Sequence, residues 1–385
     1  MSAERIYAWA RWAALGLSAL LCAAVSFCYY ARPDSCAAVT SWPAWLWLAP
    51  GLVLTGFGWS RRGIRLFLAV VFLWIVYLGA FADEARGLVR VRHWPAPGGR
   101  EAVERGSALR VISINCSGGN IQAAAEAAPC QPDIVLLQET PEKREVEKLA
   151  HDLSGKEAGI ARGVDTDIIA RGRISPKPRR GLPPFAFVQA RVRLVSGIEA
   201  EVFSAHFQPP VMRFDVWSPS CWREHAEKRQ VHLMQMGEIA QAVAPLPRAL
   251  PVIVGGDFNV SGGDGVFRLL EPRLHDTFRE GGIGWGDTVL NDLPVSRFDQ
   301  VWASDQFRAA AVVARQTRYS DHRLVVCDLK LRPQGAQGLA TRLLPSFVTL
   351  WAAASSCPTG SATCHSERSP ERERGAKRRI SVSSC

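Results

Sequence analysis

Three uncharged apolar runs occupy most of the first 90 residues and constrain how the chain can fold. They cover residues 12–30, 42–59 and 66–82, and none contains Lys, Arg, Asp or Glu. Each run has about the length that a helix needs to cross the hydrocarbon core of a bilayer. A signal peptide followed by buried core helices is the alternative. Three consecutive runs favour a membrane anchor of three helices over residues 1–86.

Basic residues flank these runs unevenly and predict the orientation of the anchor. Arg5 and Arg11 precede the first run, and Arg61, Arg62 and Arg65 lie between the second and the third. Because short cytoplasmic loops are enriched in Lys and Arg, the N-terminus and this loop are expected in the cytoplasm. Three spans in an inner or plasma membrane then make the rest of the chain extracytoplasmic. Three more arginines after the third run argue against this orientation.

The charge of the chain is concentrated outside its larger part. The net charge is +10, but from Arg105 to Arg332 there are 29 Lys and Arg against 27 Asp and Glu. A nearly neutral domain argues against tight binding to the phosphate backbone of long nucleic acids. The ten cysteines have no zinc-type spacing, and in an extracytoplasmic domain Cys130 and Cys221 are candidates for a disulfide that spacing cannot establish.

Strand-like and helix-like segments alternate between residues 106 and 332 and predict an α/β domain. PVIVGGDFNV, residues 251–260, reads as a buried strand that ends in two glycines and then Asp257 and Asn259. Residues 208–224 read as a loop and 226–243 as an amphipathic helix. The Pro- and Gly-containing segment 87–105 is predicted to be a linker. Residues 333–385, rich in Ser, Arg and Glu, are predicted to be a disordered tail.

Polar residues stand at the ends of the predicted strands. Strand ends in α/β domains commonly form functional sites, because a rigid sheet presents several side chains to one crevice. Carboxylates with Asn and His, and without thiolates, suit a hard cation such as Mg²⁺ or Mn²⁺. The candidates are Asn115, Glu139, His206, Asp257, Asn259, Asp299, Asp321 and His322.

The motifs that carry these residues, in their order along the chain, resemble the endonuclease/exonuclease/phosphatase family. They are RVISIN, DIVLLQE, SAHF, VIVGGDFN, FDQV and SDH. The resemblance covers residues 108–331 and implies a four-layer α/β sandwich, with two mixed β-sheets flanked by helices. It also implies a metal-dependent phosphoesterase activity.

The resemblance further implies a role for each candidate. Glu139 is the principal metal ligand, with Asn115 and Asp321 beside it. Asp257 positions or deprotonates the attacking water, and Asn259 binds a phosphoryl oxygen. His322 contacts the phosphate or acts as base, oriented by Asp299. His206 is the second histidine, which binds substrate and stabilises the transition state or protonates the leaving group.

One departure from the family pattern and a structural alternative accompany these roles. The family often has His after the orienting Asp, whereas this chain has Gln300. Each candidate also has a purely structural interpretation. Asp257 and Asn259 could form a turn cap, and Asp299 could pair with Arg297 at the surface.

The expected function is that of a membrane-anchored, Mg²⁺-dependent phosphohydrolase. Tethering to a membrane favours a lipid-linked phosphate or pyrophosphate, or a phospholipid headgroup, as substrate. An outward-facing Mg²⁺-dependent nuclease is the alternative enzyme, and a non-catalytic membrane scaffold is the alternative outside catalysis.

Overall fold

An 11-stranded mixed β-sheet forms the centre of the computed structural model, which describes residues 3–90, 108–177 and 187–332. The strands follow the order β10-β11-β1-β2-β4-β5-β6-β7-β9-β8, with β3 paired to β4. β1 is parallel to β2 and β6 to β7. Their bounds are β1 Ala108–Asn115, β2 Ile134–Gln138, β3 Ala158–Arg162, β4 Thr166–Pro176, β5 Phe187–Leu194, β6 Glu199–His206, β7 Val252–Asp257, β8 Leu274–Asp276, β9 Asp299–Ser304, β10 Phe307–Arg315 and β11 Leu324–Leu331.

Strand β4 connects the two halves of this sheet. Its first part, from Thr166 to Ala170, pairs with β2, and its second part, from Gly172 to Pro176, pairs with β5. Apolar side chains from both halves enter one shared hydrophobic core. The α/β prediction is therefore confirmed, with one curled sheet where two separate mixed sheets were expected. The four-layer arrangement remains a prediction.

Helices cover the outer faces of the sheet and form the N-terminal segment. α6 and α7 pack on the half that contains β1 and β2, and α8 packs on the half that contains β6 and β7. The helices are α1 Ala3–Ala31, α2 Ala37–Thr40, α3 Leu48–Phe57, α4 Ile64–Phe81, α5 Asp83–Val89, α6 Ile121–Ala125, α7 Lys143–Ser154, α8 Pro219–Val243 and α9 Thr277–Gly281.

Helix α8 begins seven residues before its predicted start, so the predicted loop 208–224 is too long. Pro219 occupies the first turn of the helix, after Ser218 at the N-cap position. Proline is favoured there because the first N–H groups of a helix have no partner within the helix. The predicted tail 333–385, and residues 91–105 of the predicted linker, lie outside the described residues.

Two helices of the N-terminal segment are long and apolar enough to cross a membrane. They are Glu4–Ala31 within α1, and α4. The predicted second span, 42–59, is helical only over residues 44–57, which is too short to cross a membrane alone. Residues 34–40 and 44–57 form two helical pieces bent by 78°, which give a third crossing only if they count as one span. Pro43 lies at the break and disfavours helical backbone in the residue before it.

Helices α1, α3 and α4 pack together as a bundle. Ser18 on α1 donates to the carbonyl oxygen of Gly51 on α3 at 2.8 Å and accepts from Trp74 on α4 at 3.0 Å. Near the other end, the Tyr29 hydroxyl donates to the carbonyl oxygen of Trp42 at 2.6 Å. Tyr77 on α4 lies beside Tyr29, with ring centroids 6.2 Å apart. The C-terminal ends of α1 and α4 therefore lie at one end of the bundle, and α3 runs back between them.

A buried ion pair of the α/β domain contacts this end of the bundle through hydrogen bonds. Arg229 on α8 is 3% exposed and pairs with Asp264, which is 2% exposed. Arg229 also donates to the carbonyl oxygen of Pro33 at 3.0 Å and to the hydroxyl of Thr40. Residues 1–332 form one compact unit, so the bundle is packed against the domain rather than attached only through a linker.

A second buried ion cluster lies beside α5. Arg297 is paired with Asp276 at 2.6 Å and with Asp83 of α5 at 3.1 Å. All three side chains are almost fully buried. Because a buried charge is costly unless it is paired, Asp83 helps to stabilise the buried guanidinium of Arg297.

The two cysteines considered for a disulfide are not bonded to each other. Cys130 and Cys221 are both buried thiols. Cys130 belongs to the core under α6 and α7, whereas Cys221 lies in α8 on the other half of the sheet.

Candidate active site

Strand register brings the predicted site residues to one edge of the sheet. β6 and β7 are parallel, and His206 at the end of β6 is level with Asp257 at the end of β7. β9 runs antiparallel to β7, so its first residue, Asp299, is level with Asp257 as well. Asn115 ends β1 at the same edge, next to the end of β2. The sheet therefore fixes four of the eight candidates side by side.

The backbone around Asp257 is tightly constrained. Gly256 has a φ of +143°, and a Cβ there would lie 2.0 Å from the carbonyl oxygen of Ala205 on β6. Beyond the strand, the N–H of Asn259 donates to Asp257 Oδ1 at 2.9 Å, and Asn259 itself has a φ of +51°. Asp257 thus caps the turn through Oδ1, as the structural interpretation of this pair predicted. The same turn leaves Asp257 Oδ2 directed toward the other candidates.

His322 and Asp299 form a buried pair. His322 Nδ1 lies 2.8 Å from Asp299 Oδ2 and 3.8 Å from Asp257 Oδ2. Burial lowers the pKa of His322, but the carboxylates around it, Asp299 above all, raise it to about 10. The predicted orientation of His322 by Asp299 agrees with this geometry. Asp299 does not pair with Arg297 at the surface.

The second histidine has an acidic partner of its own. His206 Nδ1 lies 2.5 Å from Asp165 Oδ2, and His206 Nε2 lies 3.9 Å from Asp257 Oδ2. Burial lowers the pKa of His206, but the carboxylates of Asp165 and Asp257 outweigh burial and raise it overall. The sequence interpretation missed Asp165, which stands in the segment VDTDII, between the motifs DIVLLQE and SAHF.

Asp257 lies between the two histidines. Burial and the nearby carboxylate of Asp299 raise the pKa of Asp257, while His322 and His206 lower it in part. Its Oδ2 also accepts a hydrogen bond from the Asn115 amide at 3.0 Å. Asp257 is thus the central carboxylate of the site.

The three predicted metal ligands are brought close together through the loop after β1. The Asn115 amide donates to Glu139 Oε1 at 3.0 Å, and the N–H of Gly118 donates to Glu139 Oε2 at 2.5 Å. Asp321 joins the group through Ser117, whose hydroxyl donates to Asp321 Oδ1 at 2.7 Å. The part played by Ser117 and Gly118 was not expected from the sequence.

A second group of donors, separate from the three predicted metal ligands, also has the geometry and chemistry to bind a hard divalent cation. Asp257, Asp299 and His322 each offer one ligand atom, and these atoms lie within 4.8 Å of one another. Asp299 Oδ1 is buried and has no hydrogen-bond partner among the described residues. Carboxylate, amide and imidazole groups without thiolates suit Mg²⁺ or Mn²⁺ rather than a thiophilic metal.

Gln300, the departure from the family pattern, takes no part in this cluster. Its amide donates to the carbonyl oxygens of Val260 and Arg297 at 3.0 and 2.9 Å. The side chain is buried and ties the loop after β7 to the start of β9. The departure therefore leaves the His322–Asp299 pair intact.

Comparison with known protein families identifies the part of the chain that contains this site. The model of the Endonuclease/Exonuclease/phosphatase family matches residues 112–322, more than half of the chain. That range contains all eight candidate residues. No curated protein matches the chain.

Several solved structures are similar at low identity. An endonuclease/exonuclease/phosphatase from Beutenbergia cavernae DSM 12333 is 17% identical, with a TM-score of 0.44, over 58% of this chain and 72% of that one. A family protein from Bacteroides thetaiotaomicron is 15% identical, with a TM-score of 0.46, over 59% and 96%. D. rerio TDP2 complexed with single strand DNA product is 17% identical, with a TM-score of 0.44, over 58% and 99%.

Proposed function

Because this chain belongs to the endonuclease/exonuclease/phosphatase family, we propose that it is a membrane-anchored, divalent-metal-dependent hydrolase of a phosphate ester or anhydride. Members of the family are hydrolases that act on phosphate ester bonds. The observation that carries the proposal is the cluster of Asp257 with the His322–Asp299 pair. In this assignment residues 1–86 are the anchor and residues 106–332 the catalytic domain.

The histidines are assigned to the phosphate and to the leaving group in the proposed reaction. With a pKa of about 10, His322 is charged at neutral pH, so the role of phosphate contact is favoured over that of base. Asp299 keeps the ring oriented. His206, held by Asp165, lies on the other side of Asp257 and is assigned to the transition state or the leaving group.

Asp257 is assigned to the attacking water. Its Oδ2 lies 3.8–3.9 Å from a nitrogen of each histidine, so a water bound to it would stand beside both. Asn259 is assigned to a phosphoryl oxygen. Asn115, Glu139 and Asp321 would hold the cation. When bound, the cation neutralises charge that develops on the phosphoryl oxygens.

The favoured substrate is a lipid-linked phosphate or pyrophosphate, or a phospholipid headgroup. Two helices are apolar and long enough to span a membrane, and the end of the bundle packs against the domain through buried hydrogen bonds of Arg229 and through the buried Arg297–Asp83 ion pair. This packing supports an active site held at a fixed distance from the bilayer. The basic residues of the N-terminus and of the loop before α4 favour an extracytoplasmic domain.

Hydrolysis by the purified full-length chain tests the proposal. The chain is offered lipid pyrophosphate, phospholipid vesicles, plasmid DNA and bis(p-nitrophenyl) phosphate, with Mg²⁺ or with EDTA. We expect hydrolysis of the lipid substrate that requires Mg²⁺. Nicked DNA with intact lipids would instead establish a nuclease. No turnover of any substrate would favour a scaffold.

Matched variants separate the site from general effects on folding. Glu139→Gln and His322→Ala are expected to abolish hydrolysis. Glu147→Gln and His151→Ala change the same residue types on the exposed face of α7 and are expected to retain it. Equal losses in both pairs would contradict the assigned site.

A further inference from the structure

The segment that follows His206 exposes large apolar side chains. We call residues 207–218, between β6 and α8, the aromatic loop. In it Met212 is 56% exposed, Phe214 55% and Trp217 84%. Three such side chains within six residues form an exposed apolar patch, and such patches commonly mark interaction surfaces.

The aromatic loop is in direct contact with the end of the helical bundle. The ring of Phe214 stacks on Trp42, with centroids 3.6 Å apart and an angle of 21° between the planes. The carbonyl oxygen of Trp42 accepts from Tyr29, which lies two residues before the end of α1. Phe214 is therefore level with the end of the first candidate span.

The same end of the bundle exposes other apolar side chains. Tyr30 at the end of α1 is 71% exposed, and Leu88 and Val89 at the end of α5 are 58% and 80% exposed. Aromatic side chains are enriched where a membrane protein meets the headgroup region. The exposed apolar side chains of the aromatic loop and of the bundle thus lie at the same end of the bundle.

The aromatic loop is held in place by its own polar contacts. Arg213 pairs with Asp215 at 3.0 Å through Nε and donates to Ser220 at 3.1 Å. Its carbonyl oxygen accepts from His225 on α8 at 3.0 Å, and Trp222 donates to the carbonyl oxygen of Val216 at 2.7 Å. A loop fixed in this way loses little conformational entropy when it binds.

We propose that the aromatic loop rests on the headgroup region of the bilayer in which α1 and α4 are embedded. The loop begins directly after His206, so this contact brings the membrane surface to one side of the active site. Substrate lipids would then reach the site without leaving the membrane. The inference rests on the proposed membrane-anchored phosphoesterase function, and it adds the surface through which that enzyme meets its substrate.

Photocrosslinking of the full-length chain in proteoliposomes tests the contact. p-Benzoylphenylalanine is placed at position 217, and in a separate control protein at position 195. Val195 is also exposed, at 53%, but it lies in the turn before β6, at the opposite end of that strand from His206. Because the probe reacts only with groups in contact, we expect at least about tenfold more lipid adduct at position 217. Equal adduct at the two positions, or crosslinks to a second copy of the chain at 217, would overturn the proposal.

The kinetics of Trp217→Ala provide an independent readout. The rate on phospholipid vesicles is divided by the rate on bis(p-nitrophenyl) phosphate in the same preparation. Loss of one interfacial aromatic side chain is expected to lower this ratio by roughly fivefold to tenfold, whereas Val195→Ala leaves it unchanged. An unchanged ratio in Trp217→Ala contradicts the lipid contact. Absence of hydrolysis of both substrates by the wild-type chain contradicts the proposed function instead.

Discussion

The buried ion pair between Arg229 and Asp264, which lies where the domain meets the bundle, offers a direct test of what a buried unpaired charge costs this fold. Asp264→Asn is the informative change. The N–H of Val266 donates to Asp264 Oδ1 at 3.0 Å, and an asparagine oxygen can accept that bond. The other carboxylate oxygen, which faces the Arg229 guanidinium, becomes an uncharged amide. The variant thus removes the charge and keeps the cap.

The expected cost follows from the burial of the cation. Removing one partner of a buried ion pair costs about 3–5 kcal/mol. Arg229 still donates to the carbonyl oxygen of Pro33 and to Thr40, so we expect the lower end, about 3 kcal/mol. For the compact unit of residues 1–332 the entropy of unfolding is about 0.7 kcal/mol/K, so this cost corresponds to a fall in Tm of about 4 °C.

Thermal unfolding of the full-length chain in detergent measures this fall. Glu199→Gln is the matched control, because the Arg191–Glu199 pair is partly exposed, at 29% and 45%, and such pairs contribute less than about 1 kcal/mol. Adding Arg229→Met to Asp264→Asn removes a buried cation whose remaining acidic partner is the exposed Asp34, 3.9 Å away, and should recover part of the loss. Equal melting temperatures for Asp264→Asn and Glu199→Gln would contradict the reasoning from buried charge.

Three further predictions concern the site and the stability of the domain. Asp299→Asn removes the charged partner that orients His322, and kcat should fall about 100- to 10,000-fold with little change in KM, as measured on bis(p-nitrophenyl) phosphate. Gly256→Ala places a Cβ against the backbone of β6 and should lower the free energy of unfolding by more than about 2 kcal/mol. Gly197→Ala is the control: at φ +87° and with no atom within 4 Å of the new Cβ, it should lower that free energy by only about 1 kcal/mol. Equal denaturation midpoints for the two variants would contradict this prediction. Burial lowers the pKa of His232, so the imidazole binds a proton more readily in the unfolded chain, and the folded state loses stability as pH falls below about 6.5. His232→Gln should weaken this pH dependence. An unchanged slope of unfolding free energy against pH in His232→Gln would contradict the prediction.

The candidate site could be predicted from the sequence because its residues follow buried strands. The strands β1, β2, β6 and β7 are short apolar runs, and each ends in or directly before a polar side chain at the same edge of the sheet. Asp165 was not predicted to be a site residue, because it is exposed in a loop before β4. No sequence pattern there distinguishes an acidic partner of a histidine from a solvated acid.

The junction between bundle and domain left no local pattern at all. Thr40 and Arg229 are 189 residues apart, and Asp83 and Arg297 are 214 apart. Such contacts depend on the tertiary fold alone. The broken second span and the early start of α8 were mispredicted for a related reason, since a proline can end one helix and begin another.

The position of the first and last site residues in the chain sets when the site can form. Ser320 donates to the carbonyl oxygen of Asn115 at 2.8 Å across 205 residues of sequence, and β11, which follows His322, pairs with β1. At a synthesis rate of roughly 5–20 residues per second, about 10–40 s separate the two halves of this contact. The helical bundle is complete before the last site residues leave the ribosome. A nascent chain therefore meets the membrane before it has a working active site.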